Sequence, residues 1–420
     1  MKPKILTTLP GYTAGQFAGD AFAGITVAMV ALPLSIAIAI ASGAQPADGL
    51  ITAIVAGFLI SLLGGSRVQI GGPTGAFIVV VYGVIARHGY DGLVLATLMA
   101  GAILILAGLL RAGNLIAFVP EAVVNGFTIG IAIIIAASQL KDFLGLEGAA
   151  MPAEFIPKLQ ALWQARASLN SAALGVGLAA LLLIVLARRL FPRFPGLIVV
   201  MAAVSAAVAI WHLPVDTIAS RFGALPATLP QPALPAVTFA RLSELLPSAL
   251  VIAFLAAIES LLSAMVADRM IEGRHRPNAE VLAQGWANIG SALFGGLPAT
   301  GAIARTATNI RAGGTTPVAG LVHAAVILLV MLVAAPVAGY LAMPALAALL
   351  LTTAWNMSEP HKWAGYWNAS KADRALLLIT LVLTVLSDLT VAIGVGVGLG
   401  LAIRLRDKRL EADTWTTPER

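Results

Sequence analysis

Apolar residues run along this chain in blocks that are hydrophobic on nearly every side, each closed by a charge, a proline or a glycine. Residues 177–187, 324–334 and 376–386 show the pattern best: apolar and polar positions do not alternate there, as they would on the strands of a membrane barrel. The blocks therefore read as helices. Their centres predict fourteen spans, at residues 26–41, 50–63, 75–86, 93–110, 123–138, 172–187, 196–211, 248–267, 281–294, 301–309, 317–334, 338–354, 375–386 and 391–403. The third and the tenth are short for a crossing, which takes roughly 17–25 residues of helix.

Composition turns this pattern into a statement about solvent. Of 420 residues, 59% are hydrophobic and 11% charged, where soluble chains carry roughly 25% charge. Too little polar surface remains to cover a globule, so lipid must face most of it, and backbone that faces lipid must be paired within helices or a closed barrel. The absence of cysteine excludes disulfides and thiolate metal sites. The net charge of +6 is spread singly and in pairs between apolar blocks, without the clustered stripe of a nucleic-acid binder, so no nucleic-acid partner is expected. Residues 1–20 are too mixed, and lack the small-residue cleavage site, for a removable signal.

Charge also orients the spans. With the amino terminus taken as cytoplasmic, nineteen Lys and Arg fall in cytoplasmic connections and six (Arg87, Lys141, Lys158, Arg166, Arg221 and Arg241) on the other side, leaving only Arg305 inside a span. That bias is the positive-inside rule. An error of one span near the start would spoil it.

Three short matches suggest a duplication. Leu62-Leu63-Gly64-Gly65 returns as Leu293-Phe294-Gly295-Gly296, Thr74-Gly75-Ala76 as Thr300-Gly301-Ala302, and Val119-Pro120 as Met343-Pro344, at offsets of 231, 226 and 224. Equivalent spans stand seven apart. Seven is odd, so the halves face opposite ways, the inverted repeat common among secondary transporters.

The two short spans carry the candidate chemistry. Ile70-Gly71-Gly72-Pro73-Thr74-Gly75-Ala76 and Gly295-Gly296-Leu297-Pro298-Ala299-Thr300-Gly301-Ala302 read as extended chain entering a helix, with Thr as a cap. Half-helices that begin at mid-membrane aim free N–H groups and positive dipole ends into one cavity, where an anion binds without a buried cation. The alternative is a pair of short tilted spans with Gly for close packing. Arg305, about one turn into the second such helix, either adds fixed positive charge, snorkels to the surface or pairs with Glu259. Glu259 lies inside the span at 248–267, where a carboxyl taken out of water can load and release a proton. Ser263, four residues on, shares its helical face. Together they form a candidate site for a proton or a sodium ion, the alternative being a permanently paired carboxylate.

Other features carry less. The glycines of 394–400 do not fit G-x-G-x-x-G and read as helix packing. His323 reads as a packing residue or a local hydrogen-bond partner rather than a metal ligand. No metal motif, catalytic carboxylate pair or nucleophile–base–acid set appears, so an enzyme is not expected.

At these residues the chain resembles the sulfate-permease family of anion transporters. Pro298-Ala299-Thr300-Gly301-Ala302-Ile303-Ala304-Arg305-Thr306-Ala307-Thr308-Asn309 is similar to the family's tenth-span motif, Pro-Val/Ala-Thr-Gly-Ser-Phe-Ser-Arg-Thr-Ala-Val-Asn. Residues 23–43, through Pro33 and Gly43, resemble its opening segment, and Gly72-Pro73-Thr74 its third-span start.

The resemblance implies an all-α polytopic membrane protein of fourteen transmembrane segments in a seven-plus-seven inverted repeat, as in uracil permease, with half-helices 3 and 10 meeting at mid-membrane. It implies a core (residues 20–112 and 247–336), a gate (113–246 and 337–405) and a tail (406–420) where a cytoplasmic STAS domain normally follows. The substrate is then expected at Thr74, Gly75, Ala76, Phe77, Thr300, Gly301, Ala302 and Arg305, with Glu259 and Ser263 coupling a proton or sodium, no other cofactor, and a possible homodimer in the bacterial inner membrane.

Three departures stand out. Ala302 and Ala304 replace serines, Leu34 follows Pro33 where many members have Gln, and no STAS domain follows residue 405, so the chain is either a piece of a longer one or lacks that regulation. The expected activity is proton-coupled symport of a small anion (sulfate, bicarbonate or a dicarboxylate) by alternating access. Sodium coupling, uncoupled exchange or a channel are the alternatives. A nucleobase carrier fits less well, because Arg305 favours an anion.

Overall fold

A computed structural model of the chain describes residues 2–114, 119–148, 151–190, 196–387 and 389–406, so the expected tail lies outside the described residues from 407 onward. A helix covers each of the fourteen stretches. The first half runs α1 (Ile5–Thr8), α2 (Ala14–Ala41), α3 (Pro46–Leu63), β1 (Gly71–Gly72), α4 (Phe77–Leu109), α5 (Glu121–Leu144), α6 (Phe155–Gln164), α7 (Ser171–Leu190), α8 (Gly196–Ile210) and α9 (Ile218–Phe222). The second runs α10 (Phe239–Ile271), α11 (Pro277–Leu293), β2 (Thr300–Gly301), α12 (Ile303–Arg311), α13 (Val318–Ala338), α14 (Met343–Met357), α15 (Trp363–Asn368), α16 (Lys371–Leu386) and α17 (Leu389–Arg406). Seven of these (α2, α3, α4, α5, α7, α10 and α13) are long and apolar enough to cross a bilayer.

The third and fourth stretches lie within α4 as two helices that meet at a kink at Gly89, where φ is 69° and ψ −179°. One detail departs from the sequence reading: the fold is not purely helical, since β1 and β2 form one short antiparallel pair.

Local signals account for the helix ends. Thr13 caps α2 in a reciprocal box with Gln16, satisfying amides that the first turn leaves unpaired. Pro46 opens α3 at a position whose N–H would have no partner. Gly145, left-handed at φ 60°, closes α5.

Packing divides these helices into two sets. α2, α3, α4, α10, α11, α12 and α13 pack on one another, and α5, α7, α8, α14, α16 and α17 on one another, with thinner seams where α14 and α8 meet α2 and α17 meets α10. Leu178, Leu182, Leu183, Val185 and Leu186 of α7 stay exposed. An apolar face of that size marks a surface solvated by lipid. The broadest contact, α4 on α11, is a close crossing at glycines. A methyl on Gly101 would lie 2.8 Å from the Gly285 carbonyl oxygen, and one on Gly285 as near the Gly101 oxygen. Small residues let backbones meet this closely in lipid. Gly101→Val is expected to push the helices apart and destabilise the protein by roughly 1–3 kcal/mol, as overpacking does; its thermal midpoint in detergent should fall, and an unchanged midpoint would refute the crossing.

The glycines of α17 serve packing in part. A methyl on Gly396 would meet Val123 and Thr380, and one on Gly400 would meet Pro120, whereas Gly394 and Gly398 face open space.

Candidate functional site

The site is built where the two glycine-rich segments cross. Gly71 pairs with Gly301 and Gly72 with Thr300, and the Ala302 N–H donates to the Ile70 carbonyl at 2.9 Å. α4 and α12 begin just beyond, at Phe77 and Ile303. The expected threonine caps are not there. Ala76 and Ala302 occupy the cap positions and offer no side chain to the first turn. The Thr74 hydroxyl donates instead to Glu259 Oε2 at 2.8 Å, and the Thr300 hydroxyl to the Ala256 carbonyl at 2.8 Å. Both hydroxyls are thus taken by α10. Among the described residues, no backbone acceptor meets the amides of Gly75, Ala76, Ile303 or Ala304. Two helix starts therefore present unpaired donors and the positive ends of their dipoles.

Gly75, Ala76 and Phe77 are buried, while Ile303 and Ala304 are exposed. A methyl on Gly75 would lie 2.9 Å from Met357 Sδ and 3.7 Å from Ile135 Cδ1. The α4 start thus faces α14 and α5, residues that nothing in the sequence marked.

Arg305 is the third residue of α12 and only 2% exposed, so it does not snorkel. Its Nη2 donates to Ser35 Oγ at 3.0 Å and to the Pro73 carbonyl at 3.1 Å, while among the described residues Nε and Nη1 have no partner. Among the described residues the pairing with Glu259 held open by the sequence is not made: the guanidinium turns to Ser35 of α2, and Glu259 accepts from Thr74. Gly72, at φ 150°, lets the guanidinium lie on β1, since a methyl there would stand 2.3 Å from Nη1. The cation is fixed against the strand pair with donors to spare.

Glu259 is half-buried and borders a small, shallow cleft lined by Val123, Phe127, Thr128, Phe254, Ile258 and Ile393. Ser263 shares its helical face but not its partner. The Ser263 hydroxyl donates to Thr306 Oγ1 at 3.2 Å, which also accepts the Ile70 N–H at 3.0 Å. Ser263 thus braces α12 against α10 and is not joined to Glu259 by a hydrogen bond.

Two residues of consequence escaped the sequence reading. Glu280 is fully buried: its Oε2 accepts the Gly65 and Ser66 amides at 2.8 and 3.1 Å, and its Oε1 accepts Gln69 Nε2, Ser260 Oγ and Gln284 Nε2 at 2.8, 3.1 and 3.0 Å. It holds the loop leading into β1. An acid in the first turn after Pro277 reads as an exposed dipole partner, so no local signal marked it. Asp20, also fully buried, accepts the amides of Thr315 and Thr316 and the Tyr12 hydroxyl, tying α2 to the turn before α13. His323, which the sequence read as a packing residue or a local hydrogen-bond partner, is fully buried, and among the described residues neither ring nitrogen is hydrogen-bonded, so it packs and does not make the local bond.

Known proteins resemble this chain over most of its length. The profile described as the sulfate permease family matches residues 17–380. YvdB of Bacillus subtilis (strain 168), provisionally described as a sulfate transporter, is 43% identical over 91% of this chain and 72% of its own. The bicarbonate transporter BicA of Picosynechococcus sp. is 32% identical over 89% of this chain and 68% of its own. Among solved structures, the transmembrane domain of a cyanobacterial BicA superposes with a TM-score of 0.81 at 32% identity, covering 92% of this chain and 99% of that one. Murine Solute Carrier 26 family member A9, solved in an inward-facing state, shares the fold at a TM-score of 0.87 and 18% identity, over 96% of this chain and 71% of that one.

Proposed function

Because the chain belongs to the sulfate permease family, we propose that it is a secondary transporter of a small anion of the sulfate, bicarbonate or dicarboxylate class, with a proton as the coupling ion. The family and its curated relatives are transporters rather than enzymes. One observation carries the reading: two helix starts, pinned together by β1 and β2, leave amides free beside a buried guanidinium with two unpartnered nitrogens. Such a set of donors is complementary to an anion. Ala302 and Ala304 supply no hydroxyl, and Thr74 and Thr300 spend theirs on α10. Recognition therefore falls to backbone amides and Arg305.

The same reading takes the fourteen helices as transmembrane segments of an inverted seven-plus-seven repeat, with α4 and α12 starting at mid-membrane. Residues 20–112 and 247–336 form a core that moves against a gate of 113–246 and 337–405, as an elevator. The separate packing of the two helix sets and the thin seams between them support it. The Lys and Arg bias supports cytoplasmic termini, and the Bacillus relative a bacterial inner membrane. The Glu259 cleft then opens to the cytoplasm. A homodimer would meet through the gate or through a STAS domain.

In this mechanism Glu259 changes charge as the anion enters: a neutral carboxyl spares the site a second negative charge. A sodium ion is the second reading. The Thr74 hydroxyl beside the carboxylate favours it, since hard cations take oxygen ligands.

The test is proteoliposome uptake of labelled sulfate, bicarbonate and dicarboxylates, with and without an inward proton gradient, for wild type and Glu259→Gln. Gradient-driven uptake of one anion is expected, with the driving effect lost in Glu259→Gln. Uptake indifferent to the gradient in both proteins sinks proton coupling. A sodium gradient run alongside then separates sodium symport from exchange or a channel.

A further inference from the structure

Helix α5 measures the distance from the Glu259 cleft to a second charge. Thr128 lines the cleft, Ile135 faces the α4 start at Gly75, and Ser138 stands ten residues beyond Thr128, about 15 Å of helix rise. At Ser138 the cleft is left behind, on the far side of the site. There Lys158 of α6 is sealed in, 4% exposed. Its Nζ donates to Ser138 Oγ at 2.8 Å and lies 5.4 Å from the centre of the Tyr82 ring.

Tyr82 belongs to α4, and it completes the seal. Its hydroxyl donates to the Met151 carbonyl at 2.6 Å, and its ring covers Gly43 at the turn between α2 and α3. The lid over the ammonium thus comes from one helix set, while Lys158, Ser138 and Met151 adjoin the other.

Among the described residues Lys158 makes no ion pair: its hydrogen-bond partner is a hydroxyl and its other close contact a ring face. Glu154, one turn earlier, acts on it only through longer-range charge, and burial brings Lys158 down to about 8. A hydroxyl and a ring face return less than water gave the ammonium. Arg221, on the same outer side, is by contrast held by both Asp142 and Asp216. A buried cation kept without a carboxylate, at a seam that movement would open, is built for an anion that arrives from elsewhere.

We propose that Lys158 is a second anion-binding group: when α4 withdraws Tyr82 from α6, the uncovered ammonium takes the transported anion as its counter-ion and delivers it to the helix starts. The assignment rests on the reading that the two helix sets move against each other. Until they do, the Lys158–Tyr82–Met151 contact closes this side while the Glu259 cleft stays open.

The test uses the full chain in vesicles of one orientation, checked by protease access, with labelled sulfate and bicarbonate offered from either face. Lys158→Gln is expected to raise the half-saturation concentration on the α6 face at least about tenfold, the worth of a charge-assisted hydrogen bond. The value on the Glu259-cleft face should stay unchanged, and Lys158→Arg should restore the α6 side. Tyr82→Phe, which frees the lid without touching the charge, should speed turnover and leave half-saturation unchanged. If Lys158→Gln does not fold, Lys158→Met takes its place. A wild type that transports while Lys158→Gln matches it on the α6 face, or shifts equally on both faces, overturns the assignment alone. A wild type that transports nothing overturns the transport reading and this assignment together.

Discussion

Arg305→Leu is expected to cut anion uptake about a hundredfold or more while leaving a folded carrier. Two guanidinium nitrogens, Nε and Nη1, stand buried without partners beside the helix starts. Charge-assisted hydrogen bonds are worth roughly 1.5–3 kcal/mol each, and about 1.4 kcal/mol is a factor of ten, so two of them account for the loss. Folding suffers less because the substitution has opposed effects. It strands Ser35 Oγ and the Pro73 carbonyl, which Nη2 now serves at 3.0 and 3.1 Å. It also removes a cation whose burial is itself costly. Arg305→Lys keeps the charge but gathers all its donors on one nitrogen, so it cannot serve Ser35 and Pro73 and also offer an anion two further nitrogens; it should fall between the two. The measurement is uptake in vesicles with matched protein content, alongside the thermal midpoint in detergent. Uptake by Arg305→Leu within about threefold of wild type would place the anion away from the guanidinium.

Glu280→Leu should have the largest effect on stability. Five donors converge on that carboxylate from the loop before β1, from α10 and from α11. Leucine fits the volume but accepts nothing, leaving the Gly65 and Ser66 amides, the Gln69 and Gln284 amides and the Ser260 hydroxyl short of an acceptor. Losing one partner of a buried charged network costs roughly 3–5 kcal/mol, a large share of the roughly 5–15 kcal/mol that holds a folded chain together. The variant is expected to unfold on extraction or to melt far below wild type. What does fold should transport poorly, because the loop from Gly64 positions β1 and, through Pro73, the Arg305 contact. Glu280→Gln retains one acceptor and should lose less. Thermal unfolding in detergent decides the matter: a Glu280→Leu midpoint within about 2 °C of wild type would mean the network contributes little.

These two residues show how unevenly the site was legible. Arg305 announced itself, since a charge flanked by small and apolar residues in a predicted span has few ordinary explanations. Glu280 did not. It sits just before the predicted stretch at 281–294, among polar residues, where an acid is normally solvated. Its partners at Gly65, Ser66 and Gln69 are more than two hundred residues away along the chain. Thr74 and Thr300 were legible in position but not in role: a hydroxyl before a helix usually caps it, and here α10 competes for both and wins.

By itself the sequence determined that the protein is helical, that lipid is its solvent and that two Gly- and Pro-bearing breaks lead into helices. Each of these depends on hydrophobicity and backbone preference over a few neighbouring residues, which the chain carries whatever else it touches. Tertiary structure alone decided that β1 and β2 pair, that Arg305 turns to Ser35 and Pro73 rather than Glu259, and that Ser263 serves Thr306. It also decided that Glu280, Asp20 and Lys158 are buried. Those outcomes depend on which distant segments meet, and a buried polar group takes whichever partner the packing brings within about 3 Å.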